Sequence, residues 1–382
     1  MTWEPSALES LREAADDWCT LHARVTHKDF FLTLPWVDAW YREYALDTMP
    51  ELLLLRDDGR DPVGACLMAR ATTRRAGFKW NCGYINTAGE PEAHTVVLEH
   101  NRLLCRQEDS DRFACWLAAE IRVRPFDELV FRGGVETDVH LLCRHLPDWN
   151  ASVEWRLSPF VDLSSLRDRG LSHMDALSSG TRAQLRRSMR LYGEHDGFAV
   201  EIAAGPDQAL QWMEELSVLH RYRWAQRGEA GAFASPRRSR FLERLVRTSS
   251  AEVGVHLVRV SHGDRLIGML LNLVANGHVS FYQSGFAYEA DNRQKPGLVT
   301  HHLAIEYYRL AGYQEYDFLA DGPSAGRYKV SLSTDSRRLG WLSLVRPGFR
   351  STALRTLRRG WHGLATLGAL AKKPLPLSRG EQ

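Results

Sequence analysis

The sequence predicts an α/β (α+β) chain of two related units in tandem, each a mixed, largely antiparallel sheet flanked by helices. Three observations carry this expectation. Strand hairpins, then a helix, then a strand occur twice along the chain, a duplication visible as pattern rather than as residue identity. In the second half, Asn276-Gly277 supplies the positive φ angles of a two-residue hairpin turn between "LIGMLLNLVA" and "HVSFYQSGF". Directly afterwards Pro296-Gly297 stands before the helical pattern "LVTHHLAIEYYRLAG", a pair that suits the first turn of a helix.

The elements follow in order. "ELLLLRDDGRDPVGACLMARATT" reads as strand, turn and strand around Asp57-Asp58-Gly59, and "GFKWNCGYINTAG" as a further strand. "PEAHTVVLEHNRLLCR" and "SDRFACWLAAEIR" read as helices, and "FDELVFRG" as a short strand. In the middle, "ALSSGTRAQLRRSMRLYGEH" opens on Ser/Thr capping candidates and puts Arg182, Arg186 and Arg190 on one helix face. "DQALQWMEELSVLHRYRWAQRG" is a second central helix. "EVGVHLVRV" then opens the second strand run, Gly312 closes the helix that begins at Pro296, and "YQEYDFL" returns as a buried strand. After "SLVRPGF" the chain turns basic, with Leu354, Leu357, Trp361 and Leu364 at helical spacing, which reads as an amphipathic tail.

Composition sets the frame. At 382 residues the chain is long enough for about two domains of common size, and 44% apolar with 25% charged residues is ordinary for a globular protein. A net charge of +2 leaves any functional basic character to local patches. The six cysteines form no C-x-x-C pair and read as reduced thiols. The acidic start is no signal peptide, and no apolar run reaches the ~20 residues of a membrane span. The expectation is a cytoplasmic protein whose basic tail could rest weakly on the inner membrane face.

Several stretches together resemble the GNAT acyltransferase superfamily, in particular its FemAB-like, CelD-like branch with tandem GNAT units. They are "FFLTLPWVDAWYREY" (30–44), "DPVGACL" (61–67), "LHRYRWAQRGEAGAF" (219–233), "FYQSGF" (281–286), "KPGLVTHHLAIEYYRLAGYQEYDFLADG" (295–322) and "RYKVSL" (327–332). On this resemblance residues 1–160 form a degenerate, acceptor-side unit, 161–345 the catalytic unit with the donor site, and 346–382 the tail. The common pyrophosphate loop of the superfamily, Q/R-x-x-G-x-G/A, corresponds to Arg293-Gln294-Lys295-Pro296-Gly297-Leu298, with Pro296 where a glycine is usual. The resemblance implies direct transfer of an acyl group to an amine of a small molecule, sugar or peptide, with acyl-CoA as cosubstrate and no metal. It leaves open an acyl carrier protein or an aminoacyl-tRNA as donor.

Such chemistry needs a neutral amine, a proton acceptor, donors for an oxyanion and an anchor for the donor's phosphates. A helix mouth offers unpaired N–H groups and a partial positive charge. Gly297, Leu298 and Val299 therefore read as the anchor, preceded by Pro296 and supported by Arg293 and Lys295. Tyr282 and Gln283 lie on the preceding strand, where alternation sends them to opposite faces. Tyr282 could protonate a leaving thiolate or simply pack across strands. Asp317 interrupts an apolar strand and reads as an amine-orienting group or base, or as a buried partner of an arginine. Asp321 sits just beyond that strand's end, where open α/β sheets often bind ligands. Lys329, beside Tyr328 in the position of the branch's Y-K pair, could neutralise a phosphate or the tetrahedral intermediate, or lie exposed on a strand edge. His220, Arg223 and Trp224, with Arg227, share a helix face that could hold the acceptor. The Arg182 stripe reads as a solvated surface ahead of a phosphate or tRNA contact. Adjacent His301 and His302 diverge around their helix and suit no metal site. A non-catalytic binding scaffold is the distant alternative.

Overall fold

The structure, a computed structural model, describes residues 14–25, 30–45, 48–75, 77–89, 96, 98–193, 197–250, 252–320 and 327–348. The first half contributes α1 (Ala15–Arg24), α2 (Leu34–Trp40, continued by a π turn over Tyr41–Ala45), β1 (Glu51–Arg56), β2 (Pro62–Arg75), β3 (Phe78–Ile85) and β4 (Leu104–Cys105). Next come α3 (Ser110–Val123), β5 (Glu128–Val135), α4 (Glu136–His145) and the long β6 (Asn150–Asp162). The second half holds α5 (Leu163–Asp168), α6 (His173–Ala176), α7 (Ser179–Tyr192), β7 (Phe198–Ile202), α8 (Pro206–Ala225) and α9 (Pro236–Arg247). It finishes with β8 (Val253–His262), β9 (Arg265–Ala275), β10 (His278–Phe286), α10 (Pro296–Leu310), β11 (Glu315–Asp317), α11 (Arg327–Leu332) and β12 (Asp335–Val345).

All these strands join one mixed sheet in the order β1-β2-β3-β5-β12-β6-β11-β10-β9-β8-β7, with β4 beside β2. Each half repeats one plan: antiparallel hairpins, then one parallel pair reached by a helical crossover. The parallel pairs are β3 with β5, after α3, and β10 with β11, after α10. The halves are fused rather than separate. β6 pairs with β11 on one edge and with β12 on the other, and β12 also pairs with β5, so the last strand of the chain completes the first half's sheet.

Local sequence explains the elements. β9 is apolar almost throughout because helices cover both its faces: Leu271 and Leu273 enter one core and Leu270 and Val274 another. Asn276 and Gly277 adopt φ of 50° and 83°, the hairpin turn expected at that pair. Ser178 caps α7 by accepting the Thr181 N–H at 3.2 Å. One core joins the halves directly, since Trp36 of α2 meets Phe241 of α9 edge-on, centroids 4.9 Å apart.

The helix expected over 91–106 is not formed where the structure describes it. Leu98–Leu103 runs irregularly into β4, and Asn101 bridges Gly134 while its side-chain amide donates to the carbonyls of Ile85 and Arg132. Those backbone partners outweigh the apolar spacing that suggested a helix. Lys329 lies on α11 and is buried, so the alternative of an exposed lysine on a strand edge does not hold. All six cysteines are free thiols. Among the described residues no helix is long and apolar enough to cross a membrane. Asp321 and the basic tail beyond 348 lie outside the described residues.

Candidate functional site

The site begins where two strands part. β10 and β11 pair only at His278–Ser280 with Glu315–Asp317. Beyond Ser280, β10 continues along β9 to Phe286, whereas the chain after Asp317 turns away through Leu319 at φ 61°. A non-glycine residue in the left-handed region stores strain, which functional sites often hold.

The first turn of α10 stands over this opening. A Cβ added to Gly297 would lie 3.2 Å from the Phe286 ring, which places the helix mouth at the far end of β10. The loop before the helix is fixed to α7: the Lys295 N–H donates to Ser188 Oγ (2.8 Å), and the Gln294 side chain donates to the Leu191 carbonyl (2.9 Å). No side chain caps the helix, and the N–H groups of Gly297 and Leu298 meet no acceptor among the described residues. Pro296 has no N–H to offer. The Val299 N–H closes the first helical bond to the Lys295 carbonyl at 3.1 Å, so two donors remain where three were expected.

Beside the mouth lies a notch of about 110 Å³ lined by Gln184, Arg187, Asn292, Arg293 and Lys295. Arg293 is committed within it, paired with Asp291 at 2.7 Å. Its hydrogen bond in turn pulls the Asp291 carboxyl down to about 2. The uncommitted positive charge therefore comes from Lys295 and from Arg187, a residue of α7. Sequence reasoning missed Arg187, because that helix reaches the mouth only through the tertiary fold.

Asp317 ends β11 and is almost fully buried. It accepts from Ser158 Oγ (2.7 Å), from the Leu319 N–H (2.6 Å) and from His100 Nε2 (3.0 Å), with Arg337 Nε at 3.8 Å. Burial opposes its ionisation, but His100, Arg337 and Ser158 together outweigh that and hold the carboxyl well below the ordinary range. So strongly stabilised a carboxylate is a weak proton acceptor. The geometry fits the partner role, extended to a histidine of the first half that no sequence signal marked.

Lys329 Nζ donates to the Phe318 carbonyl at 2.7 Å and lies 5.4 Å from the centre of the Phe281 ring. Phe281 and Phe318 are the first residues past the last paired positions of β10 and β11, so this ammonium stands at the fork of the strands. Tyr328 is 39% exposed above it, its ring 5.8 Å from that of His301. His301 and His302 do diverge: His301 meets Tyr316, whereas His302 meets His173, which also bonds the Leu332 carbonyl.

Tyr282 and Gln283 do not alternate. A bulge between Phe281 and Gln283 breaks the register, so Tyr282 packs edge-on against Trp36 while Gln283 bonds His220 on α8. Tyr282 is thus a buried packing aromatic. His220 stacks on Trp224 with centroids 5.5 Å apart, and Arg223 lies over the Tyr288 ring at 4.3 Å. These residues line the opposite side of β10 from Lys329.

Three buried or half-buried histidines make the fold sensitive to acid. Burial, then Arg238, pushes His220 down to about 4; burial alone does the same for His256; burial, Lys329 and His173 push His301 to about 3. The unfolded chain takes these protons near 6.5, whereas the native state refuses them until far lower pH. Stability is therefore full above about pH 6.5 and falls as pH drops towards about 4, by up to ~1.4 kcal/mol per pH unit for each histidine. Urea unfolding at pH 7 and pH 5 checks this; equal midpoints would refute it.

Residues 179–330 match the family model of the acetyltransferase (GNAT) domain. Among solved structures, FemX covers 86% of this chain and 95% of its own, at 9% identity and a TM-score of 0.56. The C-terminal domain of a protein assigned as a lysylphosphatidylglycerol synthetase from Agrobacterium fabrum covers 92% and 96%, at 12% identity and a TM-score of 0.51. At such identities the likeness shows the fold. No curated protein matches the chain in sequence. Residues 179–330 are thus similar to the acetyltransferase (GNAT) domain, and the chain shares its fold with these solved structures.

Proposed function

We propose that the chain is an N-acyltransferase that moves an acyl group from acyl-CoA to an amine by direct attack, with no covalent enzyme intermediate. One observation carries the reading: at the mouth of α10 the Gly297 and Leu298 N–H groups meet no acceptor among the described residues, next to a notch lined by Arg187 and Lys295. Backbone donors and a helix dipole hold a pyrophosphate there, and the acyl arm extends into the fork towards Lys329. Lys329 offsets the charge of the tetrahedral intermediate. The acceptor enters from the His220, Arg223 and Trp224 side of β10, through the opening where β10 and β11 part.

Gly297→Asp tests the anchor. A carboxylate set against the phosphates is expected to raise the dissociation constant of acetyl-CoA by at least ~100-fold, measured by calorimetry. Gly297→Ala is the steric control, since its Cβ meets only the edge of Phe286. Unchanged affinity in the aspartate variant would remove the anchor and the reading with it.

A second reading, an aminoacyl-tRNA as donor in the manner of FemAB-type ligases, is favoured by one feature. Arg186, Arg187 and Arg190 are exposed along α7 and lead up to the notch, more cationic surface than a pyrophosphate requires. Product formation that stops on RNase treatment would select this donor; formation that survives it selects acyl-CoA.

A further inference from the structure

Resting on the acyl-transfer reading, we propose that His301 Nε2–H donates to the carbonyl oxygen of the acyl group under transfer and stabilises the oxyanion formed there. The tautomer of His301 decides what its buried nitrogen can do. The amide nitrogen of Asn272 donates to the Tyr308 hydroxyl at 3.2 Å, beside the Tyr316 ring. Tyr316 is fully buried and stays a phenol. In the tautomer that leaves Nε2 protonated, the Tyr316 hydroxyl donates to His301 Nδ1, 3.1 Å away. A neutral imidazole that accepts at Nδ1 carries its proton on Nε2.

That Nε2–H is buried and meets no acceptor among the described residues. An orphaned buried donor costs about 1–3 kcal/mol and is kept where something uses it. Its surroundings say what. The His301 ring sits 4.5 Å from Phe281 and 5.3 Å from Phe318, the two residues at the fork of β10 and β11. Its remaining neighbours are Phe286 and Tyr328, both partly exposed, which separate it from solvent. The charge that acts on it most strongly is Lys329. An apolar box with two kinds of donor and, among the described residues, no carboxylate suits an acyl carbon whose oxygen is turning negative.

The amine lone pair attacks the thioester carbon, and the carbonyl π pair moves onto oxygen, held by His301 Nε2–H and Lys329. Collapse restores the carbonyl and breaks the C–S bond. The proton lost by nitrogen ends on the thiolate, giving amide and free thiol.

Two measurements on the full chain test this. In ¹⁵N-histidine NMR, His301 is expected to be neutral with its proton on Nε2; an Nδ1–H tautomer or an imidazolium overturns the proposal whatever the activity. In thiol release from acetyl-CoA with a panel of small primary amines, His301→Asn, whose amide reaches only the Nδ1 position, is expected to lose ~100-fold or more in kcat with little change in donor KM. His301→Gln, whose amide reaches the Nε2 position, is expected to stay within ~10-fold. Wild-type turnover in both variants, or equal losses in both, overturns the role of His301 and leaves the acyl-transfer reading standing. A wild-type protein that releases no thiol sinks that reading, and this inference falls with it.

Discussion

Replacing Lys329 by methionine is expected to lower kcat by ~100- to 1,000-fold while leaving the protein folded. Methionine keeps an unbranched apolar stem against Phe281 and removes the ammonium. The Phe318 carbonyl then loses its donor, so a stability loss of about 1–3 kcal/mol accompanies the loss of rate. Arginine is not expected to rescue, because a planar fork cannot replace a compact ammonium in a buried site. Steady-state kinetics beside thermal unfolding separate the two effects. A methionine variant that turns over like the wild type would take Lys329 out of the chemistry.

Asp317→Ala carries the largest expected effect on stability. It strips a counter-charge from Arg337 and the acceptor from His100, Ser158 and the Leu319 N–H, all at the seam between the halves. Breaking a buried ionic cluster from one side costs about 3–5 kcal/mol. The native carboxyl ionises more readily than the unfolded one, so its contribution is complete above the ordinary carboxylate pKa near 3.9 and is lost as pH falls below that. The histidines described above act from about pH 6.5 downwards, so the two contributions separate in a pH series. Chemical unfolding of Asp317→Ala and Asp317→Asn reads the loss. Wild-type midpoints in both would show that the seam does not depend on this carboxylate.

Much of the architecture was legible from local pattern because local physics enforces it. Asn276-Gly277 takes left-handed φ that few other pairs tolerate, Pro296 starts a helix because it lacks an N–H, and the apolar run of β9 needs cover on both faces. Where a local signal competed with distant partners, the signal failed. The stretch 98–103 spaces its leucines like a helix, yet the carbonyls of Ile85 and Arg132 and a bridge to Gly134 hold it extended. The bulge that puts Tyr282 and Gln283 out of alternation is equally invisible, because it depends on register against β9.

The candidate site divides the same way. The chain alone marked the helix mouth at Lys295–Leu298 and the lysine of the "RYKVSL" stretch, since a helix mouth and a tyrosine–lysine pair are contiguous features. Only the tertiary structure brought Arg187 to the notch, His100 to Asp317 and His301 into an aromatic box at the fork of two strands. Each of these contacts joins residues that pattern cannot relate, across as many as 217 positions for His100 and Asp317. Charge and hydrogen bonding act over a few ångströms of space, and sequence separation says nothing of that distance.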